Sequence, residues 1–276
     1  MEKEQRWYCP YPKGNLLLAK FRLEWMKKVQ DNLPLNTRMR CSVSDTNMMI
    51  SLSILLLLFL VYTIVPTVFI RVCGLGITKN IKRNNRIALT FDDGPNPEYT
   101  TQLLDLLKRY KIKGSFFVVG SKVKNNPDII KRMHEEGHTI GIHHFDHISS
   151  WVLSPFHLRK QLDMTEKAIM ECTHEKVTFY RPPWGHFNIF TQIASKKFQV
   201  IMWSDIFGDW KVETCKNDLL DQLRKTSTEG SILLLHDCGE TLGADKEAPR
   251  YMIEALEVYL QETIKKGTQF ITLKDL

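Results

Sequence analysis

The chain has 276 residues, 43% of them hydrophobic and 25% charged, an ordinary globular composition with room for one large domain or two small ones. Its formal net charge of +7 is spread along the sequence, with no basic stripe interleaved with aromatics, which argues against a nucleic-acid partner. The six cysteines are scattered and form no C-x-x-C pair, which argues against a thiolate zinc site and for free thiols.

Residues 1–47 form a polar tail, in which "NLLLAKFRLEWMKKV" has the pattern of a short amphipathic helix at a membrane surface. Met39, Met48 and Met49 are alternative starts. Met48–Ile70 then runs for 23 residues without a charge. A helix needs about 20 apolar residues to cross a bilayer. Pro66 falls in its last turns, where it kinks a helix. The run is longer than the apolar region of a signal peptide, and no small-residue cleavage site follows it. The expectation is a single-pass, uncleaved transmembrane helix at 48–70, a linker over 71–85 and a folded domain over 86–276. The basic residues of the tail favour a cytoplasmic N-terminus and an extracellular domain, while Arg71, Lys79, Lys82, Arg83 and Arg86 pull the other way.

From Arg86 the pattern changes. Strands are predicted at 86–91, 114–120 and 138–142, and in "KVTFY", "QVIMW", "SILLLH" and "FITL". Helices are predicted over 98–111, 126–136, 154–172, 217–225 and 248–264. Short apolar strands alternating with helices point to an α/β fold with a parallel sheet. This many strands in under 200 residues points to a compact barrel.

In a parallel α/β barrel the C-terminal strand ends gather at one face. Read in order, those ends offer Asp92 and Asp93, His143 and His147, Arg181, Asp209 and His236. His143 and His147 are four apart, so on a helical turn they share a face and can hold one metal. Two imidazoles and a carboxylate, with a position left open, form a site of the catalytic zinc type. The adjacent acids then divide the work, one holding the metal and the other taking a proton. Gly94 permits a tight turn that Pro95 and Pro97 stiffen. The loop 239–249 after His236 is either a sugar contact or a plain connector.

The chain from about Arg86 to Leu276 resembles the polysaccharide deacetylase family (NodB-type domain, carbohydrate esterase family 4). The five motifs of that family stand here in order: "TFDDGP" at 90–95, "HHFDH" at 143–147, "RPPWG" at 181–185, Asp209-Trp210, and Leu234-Leu235-His236. The resemblance implies a distorted barrel of seven or eight β/α units. It implies Asp92 as general base, Arg181 as its partner, His236 as general acid and Asp209 as the partner of that histidine. Asp93, His143 and His147 would hold one divalent metal: zinc first, with cobalt, nickel or manganese as alternatives. Pro183, Trp184, Trp210 and Leu234 would contact substrate, with the Trp184 N–H at the oxyanion. Position 144 departs from the motif, with His in place of Ser or Thr, and retains a hydrogen-bond donor. The implied activity is removal of N-acetyl groups from amino sugars of a cell-envelope polysaccharide such as peptidoglycan. A lipid-linked amino sugar is the alternative substrate, and a degenerate carbohydrate-binding module the non-enzyme alternative.

Overall fold

Strand β2 (Arg86–Asp92) has six of its seven residues buried, the pattern of a central parallel strand covered on both faces. In the computed structural model, which describes residues 24, 27, 28, 35–81 and 85–276, eight other strands join it. They are β1 (Ile77–Thr78), β3 (Ser115–Val118), β4 (Thr139–Ile142), β5 (Phe179–Tyr180), β6 (Gln199–Ile201), β7 (Asp205–Ile206), β8 (Glu229–His236) and β9 (Gln269–Ile271). The order is β1-β6-β5-β4-β3-β2-β8-β7, with β9 pairing the start of β2 and every strand pair parallel. Among the described residues no pair closes β1 onto β7, so the sheet is a parallel half-barrel, an open form of the expected barrel.

Register builds the rim. Asp92 pairs with Phe117 and His236, Val118 with Ile142, and Ile142 with Tyr180. The residues following these ends therefore emerge side by side. Successive side chains alternate between faces, so Ala88, Thr90 and Asp92 share one face of β2, and Ile232, Leu234 and His236 share one face of β8. An apolar floor of Ala88, Phe117, Phe179, Ile201 and Ile232 lies under the polar rim.

Helices cover the other face. Tyr99–Arg109 buries Leu103, Leu104, Leu106 and Leu107 at helical spacing. Pro155–Thr173 starts on a Ser154 cap and buries Leu158, Leu162, Ala168 and Ile169. Each leucine so buried contributes about 1.5–3 kcal/mol. The helices differ from the sequence reading in several places, among them an unexpected short helix, Thr191–Ala194. A short helix, Gly120–Asn125, follows β3 directly, and the single helix expected over 217–225 is two, Val212–Asn217 and Leu219–Arg224, separated at Asp218.

The chain divides into two compact units, Met1–Leu58 and Phe59–Leu276. The amphipathic stretch 15–29 lies outside the described residues, apart from Glu24, Lys27 and Lys28. A helical stretch, Asp45–Cys73, is long and apolar enough to cross a membrane. It consists of Leu35–Tyr62 and Ile64–Cys73, interrupted at Thr63. Pro66 explains the interruption: it has no N–H for the carbonyl of Tyr62, which accepts from Ile189 N–H instead (3.2 Å). The expected linker 71–85 is also structured in part, since it holds the last turn of that helix, a left-handed Gly74 cap and β1.

Candidate active site

Strand ends and the loops after them converge on one cleft of about 420 Å³, inside the roughly 300–1,000 Å³ usual for small-molecule sites. Asp93, one residue past β2, turns out of the strand with a positive φ of 79°. His143 follows β4. His147 stands in the loop beyond it, not one helical turn away as the spacing suggested. Left-handed residues at His144 and His147 (φ 60° and 52°) fold that loop back. The result is the same proximity by a different route. His143 Nε2 lies 3.4 Å and His147 Nε2 3.0 Å from Asp93 Oδ1, and a ligand atom from each of the three falls within 4.8 Å of the others.

The hydrogen bonds around this cluster fit a cation. His143 Nδ1–H donates to the carbonyl of Arg181 (2.8 Å), which leaves the Nε2 lone pair aimed at Asp93. Thr241 Oγ1 donates to Asp93 Oδ2 (2.6 Å), occupying the oxygen that faces away from the imidazoles. Burial opposes ionisation of Asp93, yet the two histidines beside it hold its carboxyl well below the usual range. Burial pushes His147 down, toward the neutral form that a metal ligand needs.

Asp92 faces a different partner. Arg181 is fully buried and donates from Nη1 to Asp92 Oδ1 (2.7 Å) and Thr90 Oγ1 (2.9 Å), from Nε to the carbonyl of Ile201 (3.1 Å) and from Nη2 to that of Met202 (3.0 Å). Its guanidinium lies over the Phe117 ring at 4.2 Å. A buried charge held this way has one orientation, and so does the carboxylate it grips.

Across the cleft, fully buried Asp209 accepts from His236 twice, from the backbone N–H at Oδ2 (2.6 Å) and from Nδ1–H at Oδ1 (2.9 Å). Burial disfavours the imidazolium, but the Asp209 charge and its hydrogen bond outweigh this and push His236 up to about 10. Trp210 meets that ring edge-on at 5.5 Å, and Leu234, two residues before His236 on β8, lines the same cleft. Trp184 packs against His147 at 4.4 Å from a left-handed position (φ 55°). Pro183 is buried in the turn behind it and does not line the cleft, contrary to the expectation of a substrate contact.

A family model described as polysaccharide deacetylase matches residues 79–202. The peptidoglycan-N-acetylmuramic acid deacetylase PdaA of Bacillus subtilis is 34% identical over 207 residues, covering 73% of each chain. The chain belongs to the polysaccharide deacetylase family. The peptidoglycan-N-acetylglucosamine deacetylase PgdA of Listeria monocytogenes is 36% identical over 196 residues, which are 71% of this chain and 39% of that protein. The crystal structure of the Bc1960 peptidoglycan N-acetylglucosamine deacetylase superposes with a TM-score of 0.66 at 27% identity, over 75% of this chain and 95% of that one.

The chain fastens its histidine loop through the unusual residue of its second motif. His144 is fully buried, donates from Nδ1 to the carbonyl of Ile148 (2.7 Å) and accepts at Nε2 from the Tyr180 hydroxyl (2.8 Å). Burial pushes it down to about 3, so it stays neutral and keeps this tautomer. Gly94 serves close packing rather than a positive φ, because a Cβ there would sit on the Asp237 carboxylate. Sequence reasoning missed Thr241, Trp203, Lys122 and Arg71. Thr241 stands in the 239–249 loop, whose residues Leu242, Gly243 and Ala244 also line the cleft. Lys122 Nζ donates to the carbonyl of Asp93 (3.0 Å). Position alone in the sequence marks none of these as part of the site.

Proposed function

We propose that this chain is a metal-dependent hydrolase removing N-acetyl groups from amino sugars of peptidoglycan. The observation that carries this reading is the pair of imidazole Nε2 atoms turned onto one carboxylate oxygen, beside an Arg-held aspartate and opposite an Asp-held histidine. Asp93, His143 and His147 would hold one divalent ion, zinc before cobalt, nickel or manganese. Lewis acidity supplied by that ion, when bound, polarises an acyl oxygen and acidifies a water.

The protein's own groups do the rest. Arg181 holds Asp92 in one orientation, so that Asp92 can accept a proton from the attacking water. The Trp184 N–H faces the developing oxyanion. His236, with Nδ1 engaged by Asp209, presents Nε2–H to the leaving amine and protonates it. Leu234 and Trp210 exclude water from around the acetyl methyl. The three relatives described above are named for peptidoglycan and lend no support to a lipid-linked substrate. The helical stretch Asp45–Cys73 supports a single-pass anchor, and the basic residues of the tail favour residues 86–276 as a catalytic domain outside the cell.

Acetate release from peptidoglycan and from chitooligosaccharides tests the assignment, with metal content measured on the same samples. Asp92→Asn and His236→Ala should each lower release by at least about 10²-fold while the protein stays folded and retains one ion per chain. Release near the wild-type rate in either variant would sink the assignment.

A further inference from the structure

One cationic side chain in the cleft wall comes from outside the strands and loops that carry the five motifs. Arg71 belongs to the helix Ile64–Cys73, and it lines the cleft together with Trp184, His186 and Trp203. Its guanidinium lies over the Trp203 ring at 5.3 Å. Among the described residues no carboxylate pairs with it.

The position of Arg71 is built. Thr67, one turn earlier on the same helix face, is buried, and its hydroxyl is a three-way junction. It accepts from Trp151 Nε1 (2.9 Å) and from Phe187 N–H (3.0 Å), and donates to the carbonyl of Phe187 (2.8 Å). Tyr62 adds a second fastening, donating to the carbonyl of Leu153 (2.7 Å). Trp151 in turn stacks on His186, with ring centroids 3.7 Å apart, and Ser149 Oγ holds His186 Nδ1 at 2.9 Å. The helix turn that carries Arg71 is thus fixed against the loop that carries His186 and follows Trp184.

An arginine at the end of an apolar helix commonly extends to lipid headgroups. Arg71 instead lies on an aromatic wall inside the cleft, half-buried and without a counter-ion. A guanidinium in that setting favours a planar anion, which it can grip with two parallel hydrogen bonds. The aromatic side chains of that wall add no competing charge, and the two carboxylates of the cleft, Asp92 and Asp93, are already held by Arg181 and by the histidine pair. Trp184 and Trp203 are neutral, and His186 is pushed down to about 4 by burial and then by the charge of Arg71.

We propose that Arg71 forms an anion subsite of the cleft and binds a carboxylate carried by the glycan beside the sugar being deacetylated. This rests on the reading of the chain as a glycan deacetylase. In peptidoglycan such a carboxylate comes either from the lactyl ether of the muramic sugar or from an attached peptide. The consequence is that the helix preceding the family domain takes part in substrate choice.

The test is binding to the full-length, metal-loaded protein in detergent, by calorimetry, with wild type, Arg71→Gln and Arg71→Lys. Three ligands are compared: a peptide-free peptidoglycan tetrasaccharide, the same tetrasaccharide with its peptides, and neutral chitotetraose. Arg71→Gln should weaken the peptide-free acidic ligand about tenfold more than chitotetraose, the worth of one charged hydrogen-bonding contact. Arg71→Lys should recover part of the loss, and raised salt should narrow the gap. A differential confined to the peptide-free ligand assigns the lactyl carboxylate; one shared by both acidic ligands assigns the contact to the peptide-bearing glycan as well. Equal weakening of all three ligands, or of none, overturns the proposal. Acetate release by the wild type reports separately on the deacetylase reading.

Discussion

Two buried aspartate–histidine groups face each other across the cleft, and they end in opposite states. At Asp93 two imidazoles share one carboxylate oxygen. The Nδ1–H of His143 is given to a backbone carbonyl, so its Nε2 brings a lone pair toward another acceptor, an arrangement that a cation between them would satisfy. At Asp209 one imidazole is gripped through Nδ1, and the carboxylate supports a charged ring whose Nε2–H is free to donate. The residue types are the same. Which nitrogen is engaged, and by what, would separate the proposed metal ligands from the proposed general acid.

Removing a metal-side carboxylate tests the first half of this contrast most severely. Asp93→Asn, a substitution that the left-handed backbone there accommodates, should leave less than one ion per ten chains, about, and reduce acetate release to background. Stoichiometric metal in that variant, read by elemental analysis, would mean that the cluster is not the ligand set. His236→Ala should instead keep its metal and lose roughly 10²- to 10⁴-fold in kcat. The two variants must differ in metal content for the contrast to hold.

The pH profile sharpens the second half. His236 must be protonated to donate, and its value is raised from 6.5 to about 10. Its acid form is complete below the ordinary histidine range and is lost as pH rises through the folded value. Asp209→Asn removes the support and leaves the burial that opposes charge, so the alkaline limb of kcat should move down by roughly one to three pH units. An unmoved limb would show that another group sets it. Smaller effects should follow at the supports. Thr241→Val frees Asp93 Oδ2 and should weaken metal binding about tenfold, measured by competition with a chelator. His144→Phe strips the Tyr180 hydroxyl and the Ile148 carbonyl of their partner and should cost about 1–3 kcal/mol of stability by denaturant titration.

Much of this was legible in the chain. Apolar runs of four to seven residues alternating with helical periodicity marked the strands, and the polar residues ending them marked the rim. Asp92, Asp93, Arg181, Asp209 and His236 were readable because strand ends in a parallel sheet have to meet. The histidine pair was found by spacing, but spacing supplied the wrong local geometry. Four residues fit a helical turn, and they equally fit a loop folded back by two left-handed residues. The role of His144 was open because a ring can replace a hydroxyl only if another residue waits at the right distance, and Tyr180 is 36 positions away.

By itself the sequence determined the alternation of strand and helix, the apolar stretch before it and the residue types at the rim, because these follow from local periodicity and the chemistry of single side chains. The tertiary structure alone decided the tautomer of His143, the Thr241 bond to Asp93, the close approach that requires Gly94, and the entry of Arg71 into the cleft. Each of those depends on which atoms from distant segments come within hydrogen-bonding or van der Waals reach, and distance along the chain carries no record of that.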